Sequence, residues 1–246
     1  MASERSRLER PAFYALAGGG WRDLVTLLHP PYTAWHLSYV ALGAAAAPAL
    51  HAGRLCAALL AFFLAVGIGA HALDELSGRP LATVLRRRTL VGLSITGLGG
   101  AVGIGVAGAI IVSPLLAPLV LIGALLVPAY NLELAGGRLH NDLWFALAWG
   151  GFPAFTGYFA QTLTIRPAGV LVAAGCCLLS AAQRRLSTPV RELRRRTKSV
   201  TGEQRLTDGS AVPLTKASLT APLEGALSAL WMAVVLLALG LLAAKL

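Results

Sequence analysis

In the stretch AHALDELSGRPL, His71, Asp74 and Glu75 fall at i, i+3 and i+4. On a helix that spacing puts all three side chains on one face. Two carboxylates beside an imidazole can hold a divalent cation through oxygen and nitrogen. The three close an otherwise apolar run, which Gly78 and Pro80 then end. Charged side chains at the edge of a membrane span commonly mark a cavity, a pathway or a site. The plainer alternative is a helix end in the interface, with Asp74 and Glu75 paired to Arg79.

A second polar cluster follows another apolar run: Tyr130, Asn131 and Glu133, then Arg138, His140, Asn141 and Asp142. Asn141 and Asp142 are also good caps for the apolar segment that begins at once. A third cluster holds His29, Tyr32, Trp35 and His36 around Pro30-Pro31. Tyr32 and Trp35 fit an aromatic belt. His36 either faces a cavity or, more simply, bonds a neighbouring helix. Gln161 and Thr164 lie at the far end of their segment, away from these clusters. Gly103, Gly105 and Gly108 match the spacing GxGxxG, but inside an apolar run with no strand before it. There Gly99 and Gly103 suggest close helix packing instead. Cys56, Cys176 and Cys177 have neither disulfide nor zinc spacing and act as small hydrophobes.

The elements that must position these groups are membrane helices. The chain has 246 residues, 56% hydrophobic and 13% charged, with a net charge of +10. A soluble surface needs nearer a quarter charged residues. A soluble enzyme, a disulfide scaffold and a disordered chain are excluded, and an all-α polytopic bundle is expected. Seven spans are expected near Thr33–Leu50, Leu55–Leu76, Leu90–Val112, Leu115–Tyr130, Leu143–Leu163, Ala168–Leu186 and Ala221–Ala244. Strands are not expected, since open sheets cannot face lipid. Of the 21 Lys and Arg, only Arg54, Arg166 and Lys245 fall in the alternate loops. The N terminus is therefore expected in the cytoplasm and the C terminus outside, in the plasma (inner) membrane, with the polar clusters on the cytoplasmic side. The basic loops suit retention and anionic lipid better than nucleic acid, so no nucleic-acid partner is expected. The opening MASERSRLERP is polar, so no cleavable signal peptide is expected.

Three surface helices are also expected. Trp21, Leu24, Val25 and Leu28 repeat at helical spacing, with Arg22, Asp23 and Thr26 opposite. Leu81, Val84 and Leu85 do the same ahead of Arg86-Arg87-Arg88. Thr188-Pro189 resembles an N-cap with proline at the first helical position, opening VRELRRRTKSV. The following TGEQRLTDGSAVP is polar and suits a mobile loop. The organisation is thus an N-terminal interfacial segment over 1–32, a six-span core over 33–190, a basic loop over 191–220 and a seventh helix over 221–246.

The order of these features resembles the UbiA-type intramembrane prenyltransferases, over about residues 30–190. The family's first motif, Asn-Asp-x-x-Asp-x-x-x-Asp, falls on Ala70, His71, Asp74 and Gly78, and the continuation Gly-Arg-Pro-Leu resembles the family's Arg-Pro. The stretch YNLELAGGRLHNDLWFALAWGGFPAFTGY resembles the family's passage from the span-four tyrosine into its glycine-rich fifth span. The chain departs at other positions. The second motif, Asp-x-x-x-Asp, falls on Gln183-Arg184-Arg185-Leu186-Ser187, without a carboxylate. The Lys-Arg after the tyrosine is missing, and seven spans stand where the family has nine.

The resemblance implies a divergent prenyltransferase, which transfers or processes the prenyl group of a prenyl diphosphate with Mg2+. His71, Asp74 and Glu75 would be its catalytic and metal-binding residues. Arg79, Arg86, Tyr130, Asn131, Asp142, Arg184 and Arg185 would bind substrate, because arginine pairs with phosphate bidentately. The alternative is a non-catalytic relative that binds an isoprenoid lipid or a partner protein. A small transporter fits least, since no polar path crosses the membrane.

Overall fold

The computed structural model describes residues 10–16 and 18–245. Arg5 and Arg7 of the basic N-terminal segment lie outside the described residues. Among the described residues there are eight helices, and five are long and apolar enough to cross a membrane. A short α1 (Trp21–Leu27) leads into α2 (Pro30–Ala45). Then come α3 (Ala52–Gly78), α4 (Arg87–Ile111) and α5 (Pro114–Asn131). The sixth, α6, covers 142–162, followed by α7 (Pro167–Arg195) and α8 (Lys216–Ala243).

The five long apolar helices are α3, α4, α5, α7 and α8. Their outward faces carry large apolar side chains, such as Ile111 at 80% exposure and Leu178 at 73%. A soluble protein rarely exposes so much. The remaining two expected spans, α2 and α6, are shorter or less apolar for a physical reason: they pack against protein at the centre. Gly43 of α2 leaves no room for a Cβ against the Ala154 carbonyl of α6, and Gly157 of α6 leaves none against the Val40 carbonyl. The core around them is Trp35, Tyr39, Ala154, Cys176, Leu227 and Val234. Helices facing protein need no apolar outer surface.

Close glycine packing occurs, but not at Gly99 and Gly103, where a Cβ would meet nothing within 4 Å. The seam lies two residues earlier. A Cβ on Gly97 would come within 2.7 Å of the Leu64 carbonyl and 2.8 Å of the Gly69 nitrogen. Two residues turn a helix by more than half a circle, so Gly99 points to the other side.

Three expectations about the connections are corrected. The stretch with Leu81, Val84 and Leu85 is an irregular loop, not a helix. Pro189 does not begin a new helix; it lies inside α7, which continues to Arg195. Thr188 Oγ1 donates to the Arg184 carbonyl at 2.8 Å, tying the turn where proline supplies no N–H. The polar segment after α7 forms a small antiparallel hairpin, β1 (Glu203–Arg205) with β2 (Ala211–Pro213), closed by Asp208-Gly209 with Gly209 at φ 85°. On α1, Trp21 and Leu24 face outward while Asp23 and Thr26 are buried. Leu27 is buried with them and Arg22 stays exposed, so the expected short helix forms with Trp21 and Leu24 on its outer face. Asp23 accepts from the amides of Gly19 and Val84, and Thr26 Oγ1 from the amide of Leu16.

Candidate functional site: a polar cavity beside an apolar groove

Helix α3 forms one wall of two adjoining spaces. Toward its C-terminal end a polar cavity is lined by Ala70, His71, Asp74, Ser77 and Gly78. Toward its N-terminal end an apolar groove is lined by Arg54, Ala57, Ala58, Ala61, Phe62 and Ala65. Val66 and Trp149 border both. Each lies in a widened π-helical stretch, over Phe63–Ala70 in α3 and Leu147–Gly151 in α6. Such bulges shift side-chain register locally and recur at functional sites.

The opposite wall of the polar cavity is α7. Gln183, Arg184, Ser187, Val190, Arg191 and Arg195 line it. Those positions recur at helical spacing, so the uninterrupted helix through Pro189 is what aims three arginines at one space. Arg184 is held on the rim. Its Nε donates to Asp142 Oδ1 at 3.0 Å, and its guanidinium lies 5.0 Å over the Phe145 ring. Arg191 donates to Thr188 Oγ1 at 3.0 Å, and Arg195 to the Pro11 carbonyl at 3.1 Å. Among the described residues no carboxylate forms a salt bridge with Arg191 or Arg195.

Pro11, Ala12, Phe13 and Tyr14 lie across the cavity as a strap. The Tyr14 hydroxyl and His29 Nδ1 share a hydrogen bond of 2.7 Å. His29 caps α2 with a left-handed backbone, φ 46° and ψ 58°, which a side chain rarely adopts. Its ring stacks on His71, centroids 4.1 Å apart and planes within 13°. Burial, and next the nearby His71, hold the His29 imidazole well below its ordinary pKa, so it is neutral. Burial likewise pushes the Tyr14 hydroxyl well above its ordinary range.

The expected site residues divide. His71, Asp74, Tyr130, Asn131 and Arg184 all line the cavity. His71 Nδ1 donates to the Gly67 carbonyl at 3.2 Å, and Asn131 Nδ2 to that of Val127 at 2.8 Å. Asp142 reaches the site only through Arg184, while Asn141 caps α6 by accepting from the Trp144 amide. Glu75 does not join His71 and Asp74. It is 1% exposed, and its carboxylate accepts from the amides of Leu81 and Thr83 and from the Thr83 hydroxyl at 2.8–3.0 Å. Arg79 does not pair with it either. Arg79 donates to the carbonyls of Thr83 and Leu85, bracing the same loop. Arg86 is the exposed N-cap residue of α4, and Arg185 is exposed on the far side of Arg184.

Tyr14, Trp149, Arg191 and Arg195 line the cavity with no motif in the sequence to mark them, beside Gln183 and Ser187 of the second-motif stretch. The readable signal was the spacing 184, 187, 191, 195, which a helix boundary drawn at Pro189 broke. Among the described residues, polar atoms without a hydrogen-bond partner collect here as well: His29 Nε2, both His36 ring nitrogens, the Tyr130 hydroxyl and Gln183 Oε1. Buried polar atoms seldom lack partners, so their concentration in one cavity points to a ligand or to water.

A magnesium ion would find few protein donors here. It takes an octahedral shell of oxygens, commonly one or two carboxylates with waters and substrate phosphates. The deep cavity presents one carboxylate, Asp74, among imidazoles and arginines, while Glu133 lies exposed at the rim. Among the described residues no three His, Cys, Asp or Glu side chains are grouped to hold a metal ion. Comparison of the chain with known protein families, curated proteins and solved structures gives no match.

Proposed function

We propose that the protein is a UbiA-like multi-pass membrane protein that binds a prenyl diphosphate, with the diphosphate in the polar cavity and the prenyl chain in the apolar groove. The observation that carries this reading is the shared wall at Val66 and Trp149, which border both a space lined by Arg184, Arg191 and Arg195 and an apolar one lined largely by alanine, glycine, valine and leucine. A ligand with a multiply charged head and a hydrocarbon chain suits both halves. Arginine meets phosphate through two parallel N–H donors, so these side chains offset the head-group charge in the role that metal ions fill elsewhere in the family. In this reading α2 and α6 cross the membrane with the five apolar helices, and the arginine-rich end faces the cytoplasm.

The same residues could release the diphosphate, since cations that stabilise the bound head also stabilise it as a leaving group. His71 and Asp74 lie beside it and could take up a proton from an acceptor. A second reading, binding without transfer, is favoured by Gln183 and Ser187, which line the cavity where the family carries its second pair of aspartates.

The test is binding of geranylgeranyl diphosphate to the purified protein in nanodiscs, with magnesium and with EDTA. Saturable binding is expected in both. Arg191→Ala should weaken it about tenfold to a hundredfold, the equivalent of losing a charge-assisted contact of about 1.5–3 kcal/mol. No binding by the parent, or binding that vanishes in EDTA, overturns the reading. Release of free diphosphate on adding acceptors separates the enzyme from the binder.

A further inference from the structure

The apolar groove has a defined far end, and Arg54 makes it. Arg54 Nη1 donates to the carbonyls of Ala160 and Gln161, at 3.3 and 3.2 Å, in the last turn of α6. A cation there satisfies helix-end carbonyls and the negative end of the helix dipole. The Gln161 side chain reaches the other way and accepts from the His51 amide at 2.7 Å, stitching the start of α3 to the end of α6. Val112 and Leu116, at the turn between α4 and α5, line the same end. A polar clasp therefore crosses the bottom of an otherwise apolar space.

The clasp also fixes a length. Along α3 the groove runs from Val66, which also borders the polar cavity, to Arg54. At 1.5 Å of rise per residue that interval spans about 18 Å. With C–C bonds of about 1.5 Å, an extended isoprene unit covers about 5 Å, so about four units fill the groove. Between the ends the lining mixes small residues, such as Ala58, Ala61 and Ala101, with larger ones, such as Phe62, Leu98 and Phe152.

We propose that Arg54 is a chain-length determinant that sets the groove to a prenyl chain of about four isoprene units. This rests on the binding reading above, and it adds a residue and a limit that a generic lipid crevice would lack. A longer chain must break the clasp or leave sideways between helices. A shorter chain leaves apolar wall uncovered.

The experiment measures binding of geranyl, farnesyl, geranylgeranyl and solanesyl diphosphate to the full chain in nanodiscs. Affinity should rise to geranylgeranyl and fall at least tenfold for solanesyl. Arg54→Ala should restore solanesyl binding to within about threefold of geranylgeranyl. Ala61→Phe, placed midway, should weaken geranylgeranyl at least tenfold while leaving geranyl within about threefold. Thermal unfolding of each variant separates a blocked groove from a damaged fold. Failure of every diphosphate to bind the parent sinks the function itself. Equal binding of all four lengths, or an Ala61→Phe protein that stays folded and still prefers geranylgeranyl, sinks the chain-length proposal and leaves the function standing.

Discussion

His29 and His71 stack ring on ring, centroids 4.1 Å apart, although one caps α2 and the other lies within α3. Two imidazoles in that arrangement cannot both be charged cheaply. Arg195, His36 and Arg191 add further positive potential at His29. Burial is the larger cause of its lowered pKa, and it too favours the neutral ring.

The stack predicts acid sensitivity. His29 has a folded-state pKa depressed below the unfolded value of about 6.5. The unfolded chain therefore takes up the proton first as pH falls. The contribution of His29 to stability is complete above about pH 6.5 and declines below it. Thermal unfolding in detergent should show the melting temperature dropping on acidification. In His29→Asn, which tolerates the left-handed backbone and cannot titrate, the drop should be smaller. Equal drops would exclude His29 as a source.

Asp74 and Glu75 are neighbours with opposite fates. Asp74 lines the cavity, whereas Glu75 holds the loop after α3 with three accepted hydrogen bonds. Glu75→Ala orphans three donors, and each buried orphan costs about 1–3 kcal/mol. That variant should unfold far below the parent temperature, or fail to be recovered folded. Asp74→Asn should unfold close to the parent, and its change should appear in ligand binding. Similar stability losses for both would mean that the two carboxylates do act together.

This pair shows what a helical sequence conceals. The i, i+3, i+4 spacing correctly puts His71 and Asp74 at one space. Glu75 departs because the chain turns back over it, and no periodicity encodes where a loop will lay its amides. The long apolar helices α3, α4, α5, α7 and α8 were legible, since each stands in the sequence as a continuous apolar run. The cavity's second wall was not legible. Proline usually ends a helix, and here Thr188 and the packed neighbours of α7 let it pass. Arg191 and Arg195 therefore belonged, on paper, to a different element from Arg184.

Two glycines separate packing from mere composition. Gly43 touches the α6 backbone, while a Cβ on Gly103 meets nothing within 4 Å. Gly43→Ala must push α2 from α6 and should cost about 3 kcal/mol or more, the upper part of the overpacking range. Gly103→Ala should be neutral or stabilise by about 0.5–1 kcal/mol, because alanine loses less backbone entropy in a helix. Melting temperatures of the two variants check the pair directly. A destabilised Gly103→Ala would restore Gly99 and Gly103 as a helix contact.

The strap over the cavity depends on a buried ion pair. Arg194, with its side chain 4% exposed, donates through Nη2 to Glu224 Oε2 of α8 at 2.9 Å and through Nη1 to the Arg10 carbonyl at 3.1 Å. Arg195 beside it holds the Pro11 carbonyl. One helix end thus fastens both α8 and the N-terminal strap. Glu224→Gln leaves a buried guanidinium without its counter-charge, and breaking such a pair costs about 3–5 kcal/mol. Replacing both partners, as in Arg194→Leu with Glu224→Leu, removes the desolvation penalty along with the attraction and should regain much of that loss. The strap behaves differently in the two proteins. In the double variant its anchor at Arg10 is gone while the fold is largely recovered, so chymotrypsin should cut after Phe13 or Tyr14 of the strap faster than in the parent even though the melting temperature is close. If cleavage simply follows the melting temperature across all three proteins, the strap is held by the fold as a whole and not by Arg194.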